Sequence, residues 1–313
     1  MVLSCQALDY YYGSRPALAG VEFSIEPGCA GLLGPNGAGK STLMNCLLGR
    51  RRIPPGRVQV LGHDPAREPL EVRRQVGVMP EADVYLPGVN GLEMTVFCAR
   101  LCGLPRSQAM SRAHEVLGYV GLGEERYRPV EQYSTGMRQR LKLACALVHG
   151  PRLLLLDEPT SGLDPTGREQ MLELIEEVTR QAGLSVLLSS HILGDIERVC
   201  DQVVMLAEGR VVFSGNRQEF ITRGSGRLQV KVKSQPERLA QALQQRGCQV
   251  QQPPGRGYLE VELPAGQSVD LVWRQASRLG LQIRHLSPLA AGLDEAFRQA
   301  MNGAVPAGGR EQA

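Results

Sequence analysis

The sequence predicts an α/β protein whose main sheet is largely parallel. Up to residue 222, short apolar runs alternate with amphipathic segments, as strands and helices do in such folds. Leu153–Leu156 is an uninterrupted run of four leucines, the pattern of a strand covered on both faces. Glycine and proline mark several helix ends, as Gly150 does after the segment 135–149. These features place the main domain at residues 1–222.

The elements of this domain are expected in a regular order. Each strand is a short apolar run, and each helix is an amphipathic segment bounded by Gly, Pro or a capping residue. The predicted strands lie at 30–33, 153–156, 185–190 and 202–206, and the predicted helices lie at 40–48, 135–149 and 166–181.

A second, smaller α/β domain is expected after a break at Gly224–Gly226, which has the composition of a linker. Strand and helix patterns alternate beyond this break. We place this domain at residues 227–302 and expect the Gly- and Pro-containing tail 303–313 to be disordered. Its predicted strands lie at 228–233, 258–263 and 281–286, and its predicted helices at 236–246, 268–279 and 293–301.

Composition and charge exclude several functional classes. The net charge of +3 is close to balance, and aromatic residues make up only 4% of the chain, with a single tryptophan. The chain therefore lacks the basic surface and the stacking residues typical of nucleic-acid binders. No run of eighteen apolar residues and no secretory leader pattern occurs, so we expect a cytoplasmic protein without a membrane span. The run Arg50–Arg52 is interpreted as part of a solvated loop.

The segment GPNGAGKST carries the strongest functional signal. It follows the strand 30–33, opens the helix 40–48 and satisfies the pattern G-x4-G-K-[ST]. In such a loop, successive backbone N–H groups and the helix N-terminus face one concavity and hold phosphate oxygens. Lys40 would contact the β- and γ-phosphates, and Ser41 would ligate Mg²⁺. The predicted nucleotide-binding residues of the loop are Gly34, Pro35, Asn36, Gly37, Ala38, Gly39, Lys40, Ser41 and Thr42.

Two carboxylates follow the leucine strand, at the edge where a parallel sheet presents its functional groups. Asp157 ends the strand and is predicted to hold Mg²⁺, directly or through water. Glu158 comes next and is predicted to accept a proton from the water that attacks the γ-phosphate. The phosphate loop and these carboxylates together indicate hydrolysis of a nucleoside triphosphate.

With four further motifs, the chain resembles the nucleotide-binding subunit of an ATP-binding cassette (ABC) transporter over residues 1–220. The motifs follow the family's order along the chain. They are an aromatic residue similar to the one that stacks on adenine, Tyr12; a signature-like segment, Tyr133–Met137; a D-loop, Ser161–Asp164; and a switch histidine, His191.

The resemblance implies a P-loop NTPase cassette with a RecA-like core, an antiparallel β subdomain and a helical subdomain at about 82–127. It implies that His191 assists catalysis by Glu158. It also implies that Ser134, Thr135 and Gly136 bind the γ-phosphate held by a second copy of the chain, because each copy already holds its own nucleotide in its own loop.

The sequence departs from the family pattern at several positions. Glu81 stands where the family usually has a glutamine that contacts Mg²⁺ and the attacking water, and a carboxylate there still suits the metal. Tyr133, Thr135 and Met137 replace the usual leucine, glycine and glutamine of the signature. Tyr12 follows two other tyrosines that alternate faces on an extended chain, so packing on a sheet is the alternative to adenine stacking.

The function implied is ATP hydrolysis, with Mg²⁺, by a head-to-tail dimer that drives a separate membrane permease from the cytoplasmic face of the cell membrane. Met137 followed by RQR, and LDEAF at 293–297, resemble the ATPases of ABC-2 type exporters, which implies export. The alternative is a non-transport ABC ATPase that acts on a ribosome or nucleic-acid complex. A single cassette without a heptad array between Lys40 and Ser134 favours the transporter, and no nucleic-acid partner is expected.

Overall fold

A six-stranded sheet organises the N-terminal part of the chain, Met1–Arg217, which separates from the part beginning at Gln218. The computed structural model describes residues 1–181, 183–220, 227–253, 257–264, 267, 269–288 and 297. The strands of the N-terminal part are β1 (Leu3–Tyr12), β2 (Arg15–Ile25), β3 (Cys29–Leu33), β4 (Val58–Val60), β5 (Val76–Met79), β6 (Leu153–Asp157), β7 (Ser185–Ser189), β8 (Gln202–Ala207) and β9 (Arg210–Asn216).

The helices of the N-terminal part lie between these strands in the chain. They are α1 (Lys40–Leu47), α2 (Pro69–Gln75), α3 (Gly91–Leu101), α4 (Arg106–Tyr119), α5 (Thr135–Leu147), α6 (Pro165–Gln181) and α7 (Leu193–Val199). The helices and strands predicted for this part agree with the observed ones to within one or two residues at each end.

The six-stranded sheet has the order β5-β6-β7-β3-β8-β9, and all neighbours are parallel except β8 and β9. Every residue of β3 and β7 is buried, as are the four leucines of β6. A strand buried on both faces needs no alternation, which explains the continuous apolar runs. This arrangement confirms the predicted α/β fold and brings the carboxyl ends of β3, β6 and β7 to one edge.

A second sheet packs against the same core. Its order is β2-β1-β4, with antiparallel pairing, and its apolar residues join those of α1 and the six-stranded sheet in one cluster. Leu3, Leu18, Leu43 and Leu155 in this cluster are at most 1% exposed. Burial of each such side chain stabilises the fold by about 1.5–3 kcal/mol. The shared core fixes β2 beside the start of α1, where the phosphate loop ends.

The predicted helical segment contains α3 and α4. The start of α3 is held by a capping box, because the Asn90 side chain accepts a hydrogen bond from the Glu93 backbone N–H at 2.9 Å and the Glu93 carboxylate accepts one from the Asn90 N–H at 2.9 Å. Tyr133 is buried, and its hydroxyl donates to the Glu125 carbonyl at 2.8 Å. A Cβ atom on Gly91 would lie only 2.2 Å from that hydroxyl. The tyrosine that replaces the family's leucine therefore connects the signature segment to the start of α3 and to the short turn Glu124–Tyr127.

Among its described residues, the C-terminal part forms a separate sheet with two helices packed on it. Its four strands pair antiparallel in the order β11-β12-β10-β13, which with the element order βαββαβ is the ferredoxin-like arrangement. The predicted strands and helices up to residue 286 are present within about two residues, whereas the short β11 was not predicted because its residues are two glutamines and one valine. The elements are β10 (Arg227–Val232), α8 (Pro236–Gln244), β11 (Gln249–Gln251), β12 (Leu259–Glu262), α9 (Asp270–Arg278) and β13 (Ile283–Pro288).

Two sequence predictions for the end of the chain lie outside the described residues. They are the helix at 293–301, of which only Phe297 is described, and the tail 303–313. The proposed linker at 224–226 also lies outside them. Within the ranges that the structure describes, each helix is too short or too polar to cross a membrane.

We predict that Tyr133→Phe lowers the free energy of unfolding by about 1 kcal/mol, because the hydrogen bond to the Glu125 carbonyl is lost while the packing of the ring is kept. Urea-induced unfolding measures this difference. Tyr127→Phe is the matched control, since Tyr127 is 51% exposed. If both variants were as stable as the parent protein, the Tyr133–Glu125 hydrogen bond would not contribute to stability.

Candidate functional site

A cleft of about 1100 Å³ lies at the edge where β3, β6 and β7 end. Most of the residues predicted from the sequence line it, and so do Arg15, Glu208 and Gly209, which were not predicted. The predicted residues in its lining are Tyr12, Asn36, Gly37, Gly39, Lys40, Ser41, Thr42, Glu81, Asp157, Glu158 and His191. The other three residues of the predicted loop do not line the cleft; they are Gly34, Pro35 and Ala38.

Glycine is required at both ends of the phosphate loop. Gly34 has a φ of +154°, and a Cβ atom there would lie 2.4 Å from the Leu206 carbonyl oxygen. Gly39 has a φ of +104° and caps α1, and a Cβ atom there would lie 2.8 Å from the Ala17 carbonyl oxygen. Any side chain at either position would clash with backbone of a neighbouring strand. The close approach holds the loop against β2 and β8 with the N-terminus of α1 at the cleft.

Lys40 is held inside the loop rather than in solvent. Its side chain is only 8% exposed, and its ammonium group donates to the carbonyls of Gly34 at 2.6 Å and Pro35 at 3.2 Å. Burial lowers the pKa of Lys40, and the negative charges of Glu158, Asp157 and Glu81 oppose this shift. A desolvated ammonium group beside three carboxylates is arranged to receive phosphate oxygens in place of the two carbonyls.

The oxygen atoms around Ser41 suit a hard divalent cation. The Ser41 hydroxyl donates to the Asp157 carboxylate at 3.4 Å, and Glu81 lines the same cleft. No group of three or more His, Cys, Asp or Glu side chains arranged to hold a metal occurs among the described residues. Magnesium keeps several water and phosphate ligands and takes only one or two from protein, so a sparse set of oxygen ligands fits it.

Glu158 and His191 form a hydrogen-bonded pair at the cleft. The Nδ1 atom of His191 lies 2.7 Å from the Glu158 carboxylate, whose side chain is 9% exposed, against 57% for the histidine. The backbone of Glu158 has a φ of +50°, and its N–H donates to the Ser189 carbonyl at 3.0 Å. A non-glycine residue in this region is strained, by about 1–3 kcal/mol, and such strain is found at functional sites. Here it turns the carboxylate from the end of β6 towards His191.

A buried carboxylate that the sequence reading missed supports this pair. Asp195 in α7 is fully buried and accepts hydrogen bonds from the hydroxyls of Thr160, at 2.6 Å, and Ser190, at 3.2 Å. Its other oxygen pairs with the Arg168 guanidinium of α6 at 2.5 Å. Thr160 follows Glu158 by two residues, and Ser190 precedes His191. Asp195 therefore joins the segment that carries Glu158 to the segment that carries His191.

A second missed residue, Lys142, fixes the position of Glu81. Its buried ammonium group donates to the carbonyls of Pro80 at 3.1 Å and Glu81 at 2.9 Å, and lies 3.5 Å from the Asp83 carboxylate. Burial lowers the pKa of Lys142, and Asp83 opposes that shift. Lys142 lies in α5, the helix that follows the signature segment. A lysine among the apolar residues of an amphipathic helix was the only sequence signal for this contact.

The three adjacent tyrosines have different surroundings. Tyr10 packs against the core, Tyr11 is exposed, and Tyr12 lines the cleft with its ring 5.1 Å from that of Tyr10 in an edge-to-face arrangement. The Arg51 guanidinium lies 5.3 Å from the centre of the Tyr12 ring. Arg51 is exposed, as expected of a residue in a solvated loop, and it also contacts the aromatic residue of the cleft.

The signature residues line a different cleft. Ser134, Thr135 and Gly136 border a space of about 520 Å³ together with Gly162–Asp164 of the D-loop, and none of its lining residues borders the first cleft. Ser134 caps α5, and its side chain accepts a hydrogen bond from the Met137 N–H at 3.3 Å. The chain thus presents a helix N-terminus with an exposed serine and threonine at a place that its own phosphate loop does not reach.

The chain is similar in sequence to several known proteins. A family model described as ABC transporter matches residues 18–161. An uncharacterized ABC transporter ATP-binding protein of Bacillus subtilis, YxlF, is 39% identical over 220 residues, which cover 70% of this chain and 72% of the relative. The daunorubicin/doxorubicin resistance ATP-binding protein DrrA of Streptomyces peucetius is 34% identical over 294 residues, which cover 92% of this chain and 88% of the relative.

A solved structure shows the same fold. It is that of cbiO1 from Clostridium perfringens, described as part of the ABC transporter complex cbiONQ. The two structures superimpose with a TM-score of 0.63 at 28% sequence identity, and the match covers 70% of this chain and 89% of that one.

We predict that Lys40→Ala weakens nucleotide binding about 10- to 100-fold, because charge-assisted hydrogen bonds to phosphate contribute about 1.5–3 kcal/mol. Titration calorimetry with ATP and Mg²⁺ measures the affinity. Lys231→Ala, which removes an exposed lysine of β10, is the control and should bind as the parent protein does. Wild-type affinity of Lys40→Ala would refute the role of the lysine.

We predict that Asp195→Asn lowers kcat for ATP hydrolysis about tenfold or more while the ATP affinity changes by less than about twofold. Loss of the charge leaves Arg168 unpaired and frees the segments of Glu158 and His191, and small misplacements of catalytic groups are costly. Steady-state ATPase kinetics measure kcat, and titration calorimetry measures the ATP affinity.

Glu169→Gln, which removes an exposed carboxylate from α6, is the matched control. If Asp195 had a structural role alone, the variant would melt at a lower temperature and keep its kcat at 20 °C.

Proposed function

The chain belongs to the ATP-binding proteins of ABC transporters, and from this premise we propose that two copies close around two ATP molecules and drive a separate membrane permease. ATP hydrolysis is the activity of the family. The proposal concerns the residues that carry it out, the dimer, the permease and the direction of transport. The observation that carries it is the division of the site between two separate clefts of one chain.

Binding of the triphosphate is favoured by the loop and by Lys40. The N-terminus of α1 and the buried ammonium group offset phosphate charge, and the Tyr12 ring offers a surface for the adenine. Ser41 and Asp157, with Glu81 nearby, would hold Mg²⁺, which when bound neutralises charge on the β- and γ-phosphates.

Hydrolysis needs a base beside the γ-phosphate. Glu158 is largely buried and hydrogen-bonded to His191, so its carboxylate is held in one orientation for the proton of an attacking water. The histidine is more exposed and would orient the glutamate and the water. Asp195 acts through these two residues by fixing the segments on which they lie.

Closure of two copies is supported by the incomplete phosphate site in each. The first cleft binds phosphate from one side only, and the signature serine, threonine and helix N-terminus lie in the second cleft without a phosphate group of their own. Head-to-tail pairing would place the second cleft of one copy over the first cleft of the other. ATP then bridges the two copies, whereas ADP lacks the γ-phosphate needed for the bridge.

Coupling to a permease is supported by the surface beside Glu81. Val84 is 64% exposed and Leu101 is 71% exposed, and Leu86 and Phe97 add further apolar area on the segment after Glu81 and on α3. Exposed apolar groups concentrated on one part of a chain are typical of a protein interface. Because Lys142 holds the Glu81 backbone, displacement of α5 on closure would be transmitted to this surface.

Export is the direction we propose. The Streptomyces peucetius relative, which aligns along almost the whole chain, is a drug-resistance protein by name. The exporter-like sequence at Met137–Arg140 lies at the start of α5. The permease, and not this chain, would bind and move the transported substrate.

We predict that Glu158→Gln retains ATP binding, loses at least about 100-fold in ATPase rate and accumulates as an ATP-dependent dimer. The amide cannot accept the proton but keeps the shape of the side chain. Light scattering after size-exclusion chromatography, with ATP or ADP, measures the dimer. A turnover rate equal to that of the parent protein would remove Glu158 as the base.

The matched control is Glu158→Gln combined with Gly136→Asp. A Cβ atom on Gly136 would meet nothing closer than 3.8 Å, so the added side chain fits the single chain. We expect this double variant to bind ATP and to remain monomeric, because its carboxylate would face the partner's γ-phosphate. A dimer of unchanged stability in the double variant would overturn the head-to-tail arrangement.

A further inference from the structure

The C-terminal part contains a small cleft that the proposed ATPase mechanism does not use. Its volume is about 200 Å³, and it lies beside α9 and the residues that follow α8. It is lined by Arg246, Gln267, Leu271, Arg274, Gln275 and Arg278. Three of these six side chains are guanidinium groups, and none is a carboxylate.

The arginines of this cleft have no partner of opposite charge among the described residues. Arg246, Arg274 and Arg278 form no ion pair with any residue that the structure describes. Arg274 makes one hydrogen bond, from Nε to the Asp270 carbonyl one turn earlier in α9 at 3.3 Å, which leaves its two terminal nitrogens available. Three like charges around one small space repel one another, and an anion between them would remove that repulsion.

A buried amide also borders the space. Gln275 is 8% exposed, lines the cleft, and has no side-chain hydrogen bond to the part of the chain that the structure describes. An amide at the border of the cleft can donate hydrogen bonds to the oxygen atoms of a ligand. Leu271 of the cleft, together with Val272 and Ala276 on the adjoining face of α9, is buried in the apolar core of this part of the chain.

The chemistry and size of the cleft select the ligand. Guanidinium groups match the oxygens of phosphate and are more weakly hydrated than ammonium groups. A doubly charged phosphoryl group would balance most of the charge of the three arginines. A space of about 200 Å³ takes a small anion or the end of a larger molecule, rather than a whole nucleotide.

We propose that this cleft of the C-terminal domain is a second anion site, which binds a phosphoryl group through Arg246, Arg274 and Arg278 with Gln275 as a further hydrogen-bonding group. The group is either free in solution or part of a lipid headgroup. The site is separate from the nucleotide cleft, so it gives the accessory domain a ligand of its own.

The test uses the full chain with the nucleotide cleft filled by a non-hydrolysable ATP analogue and Mg²⁺, so that phosphate does not enter there. Inorganic phosphate is titrated at constant ionic strength against a chloride control. Trp273 is the single tryptophan of the chain, is 50% exposed and precedes Arg274 in α9, so its fluorescence reports on this helix. Calorimetry provides an independent measure of binding.

We expect saturable binding in the millimolar range that is weakened at least fivefold by Arg246→Gln combined with Arg278→Gln. Arg284→Gln, which changes an exposed arginine of β13 outside the cleft, is the matched control and should bind phosphate as the parent protein does. Basal ATPase activity should be equal in all three proteins.

A second arm uses sedimentation with vesicles of phosphatidylcholine, with or without phosphatidic acid. Binding to phosphatidic acid that is lost in the double variant and kept in Arg284→Gln supports the same site with a lipid as the source of the phosphoryl group. Absence of saturable binding in both arms, or binding that survives in the double variant, would overturn the proposal.

Discussion

The parallel pairing of β6 with β7 determines where the charged groups of the nucleotide cleft lie. In this register Asp157 is opposite Ser189, and the next residue, Glu158, donates its backbone N–H to the Ser189 carbonyl. His191 follows Ser189 by two residues, so it reaches the Glu158 carboxylate at 2.7 Å. Because β3 pairs with the other side of β7, the phosphate loop begins at the same edge. A shift of one residue in this pairing would turn the side chains of β6 to the opposite face and separate the base from the histidine.

The electrostatics of the cleft follow from this close assembly. Lys40, Asp157, Glu158 and Glu81 share a partly desolvated space, where the carboxylates raise and burial lowers the pKa of the lysine. The loop carbonyls hold the lysine in place, and in the proposed mechanism phosphate oxygens would replace them. Behind the cleft, the charge of Asp195 is not open to a ligand. The side chain is fully buried, forms an ion pair with Arg168 and accepts hydrogen bonds from hydroxyl groups. The first set of charges is open to a ligand, whereas the second holds the segments that carry Glu158 and His191.

One helix connects the two clefts. Ser134 caps α5 at the second cleft, and Lys142, about two turns further along, holds the Glu81 backbone at the first. A partner's phosphate at the cap would therefore act on Glu81 through a rigid element rather than through a flexible loop. Tyr133, just before the cap, joins the same helix to the α3 region and to the exposed apolar side chains there. In the proposed transport cycle these contacts would link ATP-dependent closure to the permease surface.

The sequence by itself determined the α/β fold, the phosphate loop and the order of the family's motifs, because each is local: an apolar run, a glycine spacing or a carboxylate directly after a strand. It also predicted most of the described strands and helices of the C-terminal part. It did not reveal Asp195, Lys142 or Arg51, whose contacts include residues 27 to 62 positions away along the chain. Nor did it reveal the three arginines around the C-terminal cleft, since Arg246 follows α8 whereas Arg274 and Arg278 lie in α9. Only the tertiary structure decided these contacts, because a buried charge or a shared cleft depends on which distant segments the core brings together.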